Sequence, residues 1–119
     1  MTGCIVGWAH TPFGRLDTES VESLIVRVAT DAIADAGIAP SDVDEIVLGH
    51  FNAGFSQQDF TASLVLQASP DLRFKRATRV ENACATGSAA VHQGLRARGE
   101  SRAHRARRRR RADDHDARA

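Results

Sequence analysis

One cysteine in this sequence stands where its neighbours could make it a nucleophile. Cys84 lies in the run Val80-Glu81-Asn82-Ala83-Cys84-Ala85-Thr86-Gly87-Ser88-Ala89-Ala90, after a strand-like stretch, Arg76 to Glu81, and before small residues that open a helical pattern. That order predicts a thiol at a strand-to-helix turn. The unpaired N–H groups of a first helical turn and the positive end of the helix dipole stabilise a thiolate there, the form of sulfur that attacks. Gly87 is expected to let the backbone turn tightly and to keep side-chain bulk away from an approaching substrate, while Ser88, Ala89 and Ala90 allow close helix packing. A free cysteine is more often an inert core residue. Two features set Cys84 apart: Glu81 and Asn82 are poor residues for a merely structural strand interior, and a core cysteine needs no small-residue turn after it. Cys4 gives the contrast, because Gly3-Cys4-Ile5-Val6-Gly7-Trp8 is an apolar run that places its thiol in the core.

The elements that must position Cys84 alternate strand and helix. Cys4 to Trp8 is the first expected strand, with glycines on both sides of its apolar centre, and a polar loop, His10 to Asp17, follows. Thr18 is the expected N-cap of a helix with Glu19 and Glu22 in its first turn. Val21, Leu24, Ile25, Val28, Ala32, Ile33 and Ala36 recur at helical spacing as a core-facing stripe, and Gly37 with Pro40 supplies the stop. Glu45 to Gly49 reads as the second strand, completing a right-handed parallel crossover, and His50, Phe51 and Asn52 leave its carboxyl end, where ligand-contacting loops sit in open sheets. His50 is read as a surface or packing histidine. Thr61 to Ala68 is a helix, Ser69-Pro70-Asp71 a turn, Arg76 to Glu81 the third strand and Ala85 to Arg96 the third helix. His92 is too far along that helix to pair with Cys84, since eight residues make more than two turns. The expected fold class is α/β: a partial β-α-β-α-β-α unit with a mostly parallel sheet, whose open edge invites pairing with another chain.

The segment Arg79 to Ala90 closely resembles the nucleophile segment of the thiolase family, whose best-known members are acetyl-CoA acetyltransferases. Ile5-Val6-Gly7 with Thr11-Pro12-Phe13-Gly14-Arg15 is similar to the family's opening strand and loop, and residues 32–49 to its first helix end and second strand. The resemblance covers residues 1–97, as the N-terminal part of a thiolase-like domain. Ala85 and Thr86 look more like the branch related to sterol-carrier or lipid-transfer thiolases than like members with Gly directly after the nucleophile. What the resemblance implies is exchange of acyl groups between acyl-CoA thioesters, with Cys84 forming the acyl-enzyme, coenzyme A as cosubstrate and no bound cofactor. It also implies a homo-oligomer for the full-length family. The family's activating histidine and its second, acid/base cysteine belong to later parts of its chain; no segment here matches them, and Cys4 does not fit the second cysteine's motif. The expectation is therefore a truncated, inactive fragment.

Composition bounds the rest. The 119 residues suffice for one ordinary domain, and 42% hydrophobic with 5% aromatic residues is a moderate apolar content. No apolar stretch is long enough to span a bilayer, and residues 1–20 lack the charged start and apolar centre of a secretory signal, so a cytoplasmic protein is expected. Two cysteines in unlike settings form no disulfide framework, and no Cys/His spacing suits zinc, so no metal is expected. Neither a dinucleotide fingerprint nor a phosphate-binding loop occurs. Residues 1–95 hold 6 Lys+Arg against 11 Asp+Glu, net −5, whereas residues 96–119 hold 10 against 4, net +6. The Arg-rich tail, residues 98–119, has alanine as its only hydrophobic residue type and cannot offset its ordering entropy, so it is expected to be disordered. Its run Arg107 to Arg111 raises an alternative function, a non-catalytic protein binding nucleic acid or another polyanion. Nucleic acid is the weaker expectation, because no aromatic or amide side chains interleave with the arginines to stack on bases. A tail translated out of frame explains the loss of large apolar residues better, since arginine codons read one base later become valine codons, and a valine-rich strand follows the third helix in the thiolases this sequence resembles.

Overall fold

The computed structural model describes residues 3–51 and 60–99. The expectations for Asn52 and for the chain beyond residue 99 lie outside the described residues.

Helix α1 spans Val21–Ala36 and is set by its two ends. Its N-cap is Ser20 rather than Thr18: Ser20 is extended (φ −106, ψ 166), its hydroxyl accepts the Ser23 N–H at 3.0 Å, and its own N–H donates to Ser23 Oγ at 2.8 Å. Two otherwise orphaned donors are satisfied reciprocally by this arrangement, which Thr18, two residues earlier, cannot provide. Glu22 lies in the first turn as expected. At the other end Gly37 adopts φ 63, ψ 26 and donates to the Ala34 carbonyl, a left-handed cap that glycine takes at low steric cost.

After a single 3₁₀ turn, Pro40–Asp42, strand β1 runs over Glu45–Gly49 and pairs in parallel with strand β2, Arg76–Val80. The register sets Glu45 opposite Arg76 and Gly49 opposite Val80, and Arg76 donates to the Glu45 carboxylate at 2.8 Å. The His50 N–H continues the ladder by donating to the Val80 carbonyl at 3.1 Å. Parallel neighbours require a crossover. Part of it is helix α2, Thr61–Leu64, which tightens into a 3₁₀ turn over Val65–Ala68; a second 3₁₀ turn, Pro70–Leu72, is capped by the Ser69 hydroxyl. Helix α3 covers residues 86–99.

The core is small: Ile46 from β1, Val65 after α2 and Leu72 from the turn, with Ile25, Ala29 and Ile33 of α1 packed against it at four-residue spacing. No residue of α1 is fully buried, so the expected stripe is only half covered. Gln67 donates to Glu22 at 2.6 Å and Lys75 to the Ser41 carbonyl at 2.9 Å, tying the crossover to α1 and to the loop before β1.

The first expected strand does not form. Residues 3–8 pair with no strand, and Ile5, Val6 and Trp8 are 85%, 66% and 67% exposed. This segment lies across the last turns of α1 instead of beside β1. The Trp8 N–H donates to the Asp35 carboxylate at 2.8 Å, and a Cβ on Gly7 would stand 2.5 Å from the Ala32 carbonyl oxygen and 2.6 Å from Ala36 Cβ. Apolar composition made the stretch look like a strand, but a strand also needs a neighbouring backbone to pair with. Cys4 is accordingly exposed, not in the core. The α/β class stands, with the order α-β-α-β-α and a two-stranded parallel sheet among the described residues.

Candidate functional site

Cys84 lies where the strand-to-helix spacing puts it. β2 ends at Val80, Ala83–Ala85 form a 3₁₀ turn, and α3 starts at residue 86. Glu81 to Ala85 are all exposed, so the thiol sits on an open turn at the carboxyl end of the sheet.

The turn is made differently from the expectation. Gly87 does not have positive φ and sits inside α3, with nothing within 4 Å of where a Cβ would be. The bend falls instead on Ala83, whose φ of 42 lies in the left-handed region, a conformation that costs a residue with a Cβ about 1–2 kcal/mol. Strain of this kind persists only where surrounding bonds hold it. Three hydrogen bonds do so here: the Ala85 N–H donates to the Asn82 carbonyl at 2.8 Å, the Asn82 N–H to Thr86 Oγ1 at 2.8 Å, and the Thr86 hydroxyl to the Ala83 carbonyl at 2.7 Å.

Thr86 is one of two buried polar residues among the described residues, 7% exposed, and it closes onto β1. A Cβ on Gly49 would fall 2.9 Å from Thr86 Cγ2 and 3.0 Å from its carbonyl oxygen, so only glycine at the end of β1 admits the start of α3 at this distance. The other is Thr61, wholly buried, whose hydroxyl meets His50 Nδ1 at 3.2 Å. His50 therefore packs against α2, in keeping with the packing role read for it. Arg79 pairs with Glu81 at 3.1 Å and reaches the His50 carbonyl at 3.4 Å, linking the ends of the two strands.

The roles of Gly49, Ala83 and Thr61 carry no chemical signal in the sequence, and Thr86 stands out there only as a neighbour of Cys84. A groove lined by Val43, Glu45, Val47, Gly94 and Ala97 lies at the amino end of β1, so it does not adjoin Cys84. Among the described residues no group of three or more His, Cys, Asp or Glu side chains could hold a metal ion, and no helix is long and apolar enough to cross a membrane.

Residues 3–99 match the sequence model of the family described as thiolase, N-terminal domain. The chain is 41% identical over 92 residues to an acetyl-CoA acetyltransferase of Methanocaldococcus jannaschii, an alignment covering 76% of this chain and 23% of that protein. It is 35% identical over 94 residues to an acetyl-CoA acetyltransferase of Methanothermobacter thermautotrophicus, covering 78% of this chain and 24% of the relative. The chain thus spans about a quarter of the length of these relatives. With the family model covering most of its length, this chain belongs to the thiolase family, through that family's N-terminal domain.

Proposed function

We propose that this chain carries the nucleophile of a thiolase-type acyltransferase and that Cys84 is that nucleophile. The support is a coincidence of two findings: an exposed thiol on a held strand-to-helix turn, and a family match that runs through that turn. In the step proposed, Cys84 Sγ attacks the carbonyl carbon of an acyl-CoA. The Sγ–C bond forms, the C–S bond to coenzyme A breaks, and the thiol proton of Cys84 ends on the departing CoA sulfur. In the synthetic direction the acyl group then passes to the carbanion of a second thioester. In the degradative direction Sγ instead attacks the 3-oxo carbon of a 3-oxoacyl-CoA, the C2–C3 bond breaks, acetyl-CoA leaves with the proton on its methyl carbon, and the acyl group passes from Cys84 to a CoA thiol.

The 119-residue chain is proposed to stop after the first step. Turnover also needs a base within hydrogen-bond reach of the sulfur and donors for the oxyanion, of which one alone is worth about a hundredfold or more in rate. No described side chain hydrogen-bonds Cys84, so acylation is expected without sustained CoA release. Coenzyme A is read as cosubstrate, with no bound cofactor, and cytoplasmic acyl-CoA as the pool.

The test is incubation with acetoacetyl-CoA followed by peptide mass spectrometry. The expected result is one hydroxylamine-labile acyl adduct, on Cys84, absent in Cys84→Ser. Equal adduct on Cys4, which is also exposed, or continuous acetyl-CoA formation at an enzyme-like rate once CoA is added, sinks the proposal.

A further inference from the structure

From the geometry around the turn we infer that Thr86 is the positioning residue for Cys84, acting through its hydroxyl on the chain before the cysteine and through its methyl on the end of β1. This rests on the reading of Cys84 as nucleophile, and it names what would hold that sulfur in place.

The hydroxyl accepts the Asn82 N–H at 2.8 Å and donates to the Ala83 carbonyl at 2.7 Å. Cys84 is enclosed between its partners and Thr86 itself, so one side chain ties residues 82, 83 and 86 into a closed loop with the thiol on its outer side. Both capacities of the hydroxyl are used in directions that a methyl cannot reproduce. They hold Ala83 at φ 42, a conformation that the isolated chain would leave. The second anchor is independent of the first. Thr86 is 7% exposed, and its methyl and carbonyl lie so near Gly49 that a Cβ there would be 2.9 Å and 3.0 Å from them. The loop is thereby fixed to the sheet and not merely closed on itself, with Gly49 registered opposite Val80, the last residue of β2 before the turn. A sulfur that must meet a carbonyl carbon within a narrow distance and direction gains rate from such fixing, and a misplacement of about 1 Å can cost about a hundredfold.

Thr86→Val removes the hydroxyl and keeps the methyl; Thr86→Ser keeps the hydroxyl and removes the methyl. The fold is expected to survive Thr86→Val, because Asn82 and Ala83 are exposed and their freed groups can turn to water. In the full 119-residue chain, acylation of Cys84 by acetoacetyl-CoA and its alkylation by iodoacetamide are measured at several pH values, with Cys4 of the same molecule as the internal reference. Thr86→Val is expected to lower the Cys84 acylation rate about tenfold to a hundredfold and to slow its alkylation, with Cys4 unchanged; Thr86→Ser, which keeps the hydroxyl loop and loses only the methyl anchor, is expected to lose less, about twofold to fivefold. Equal alkylation of Cys4 and Cys84 in a Thr86→Val chain that has lost its far-UV circular dichroism reports unfolding; the inference then stands or falls on amide hydrogen exchange in the unsubstituted chain. There the Asn82 N–H should exchange much more slowly than that of a free peptide, and exchange at the free-peptide rate overturns the inference. So does acylation at the parent rate in a folded Thr86→Val. If the parent takes no acyl group at all while its Cys84 alkylation still falls in Thr86→Val, the acyltransferase reading fails and the positioning role stands.

Discussion

Two short apolar runs in this chain, residues 3–8 and Glu45–Gly49, have the same kind of composition and opposite fates. Ile46 is 8% exposed in β1, whereas Ile5 is 85% exposed in the first run. Glu45–Gly49 has β2 beside it and Val65 and Leu72 beneath it; residues 3–8 have no strand beside them, only the end of α1, with a hydrogen bond from Trp8 to Asp35, and the Leu95 side chain of α3 against Gly3. Strand formation is thus a property of a pair of segments, and side-chain preference within one segment does not decide it. The two cysteines repeat the contrast. Both are exposed, so burial does not distinguish them, but Cys84 sits in a turn fixed by three hydrogen bonds, while the described residues around Cys4 show no comparable ring.

The comparison breaks most visibly in the core. Leu72→Ala removes the one fully buried large apolar side chain from a cluster of three, and such truncations cost about 2–5 kcal/mol. A unit with so little buried is expected to lose cooperative unfolding altogether. Ile5→Ala, also a loss of a large aliphatic group, is expected to stay within about 0.5 kcal/mol, because an exposed side chain leaves no cavity. Urea titration followed by far-UV circular dichroism measures both. Comparable destabilisation by the two substitutions would mean that residues 3–8 are packed as a strand after all.

The sequence made β1 legible to the residue and β2 to within one, because each is a run of five or six residues bounded by turn formers, and it marked the end of α1 through Gly37. It did not reveal Leu72 as the centre of the core. Leu72 belongs to a 3₁₀ turn with no periodic neighbours, and only the crossover geometry carries it inward. The turn around Cys84, the candidate site, was legible as a location between strand end and helix start, and not as a mechanism of turning. Glycine suggested the bend at Gly87, yet the chain bends at Ala83, because the Thr86 hydroxyl holds a left-handed alanine and the closed 82–86 loop leaves Gly87 to ordinary helix. Hydrogen bonds between residues three and four apart are invisible to composition.

A smaller effect separates two glycines that both sit under close contact. Gly49→Ala would drive a Cβ to 2.9 Å from the Thr86 methyl and 3.0 Å from its carbonyl oxygen, and overpacking of this sort costs about 1–3 kcal/mol. Because the displaced element is the start of α3, Cys84 acylation is expected to fall with stability. Gly7→Ala meets α1 backbone more closely still, at 2.5 Å from the Ala32 carbonyl, but the segment it would push away is exposed. Its stability change should remain below about 1 kcal/mol, in line with substitutions away from a packed core. The signal instead should be a shift in fluorescence of Trp8, the single tryptophan of the chain, with the sheet intact. Thermal melts, Trp emission and Cys84 acylation on the two variants decide the matter; a Gly7→Ala protein that loses its sheet contradicts the peripheral placement of residues 3–8.

The smallest effect is also the one that tests what the open space beside Cys84 is for. Gly87 lies in the first turn of α3 without positive φ, and a Cβ there would touch nothing within 4 Å. Alanine at such a position loses less backbone freedom on folding than glycine, so Gly87→Ala is expected to raise stability by about 0.5 kcal/mol. If acyl-CoA approaches Cys84 over this surface, the added methyl obstructs the large thioester and leaves a small reagent unhindered. Stability and acylation should then move in opposite directions, with iodoacetamide labelling of Cys84 unchanged. A Gly87→Ala chain that is more stable and is acylated at the parent rate would show that glycine keeps no room for substrate here, and that the approach to the sulfur lies on the Asn82 side of the turn.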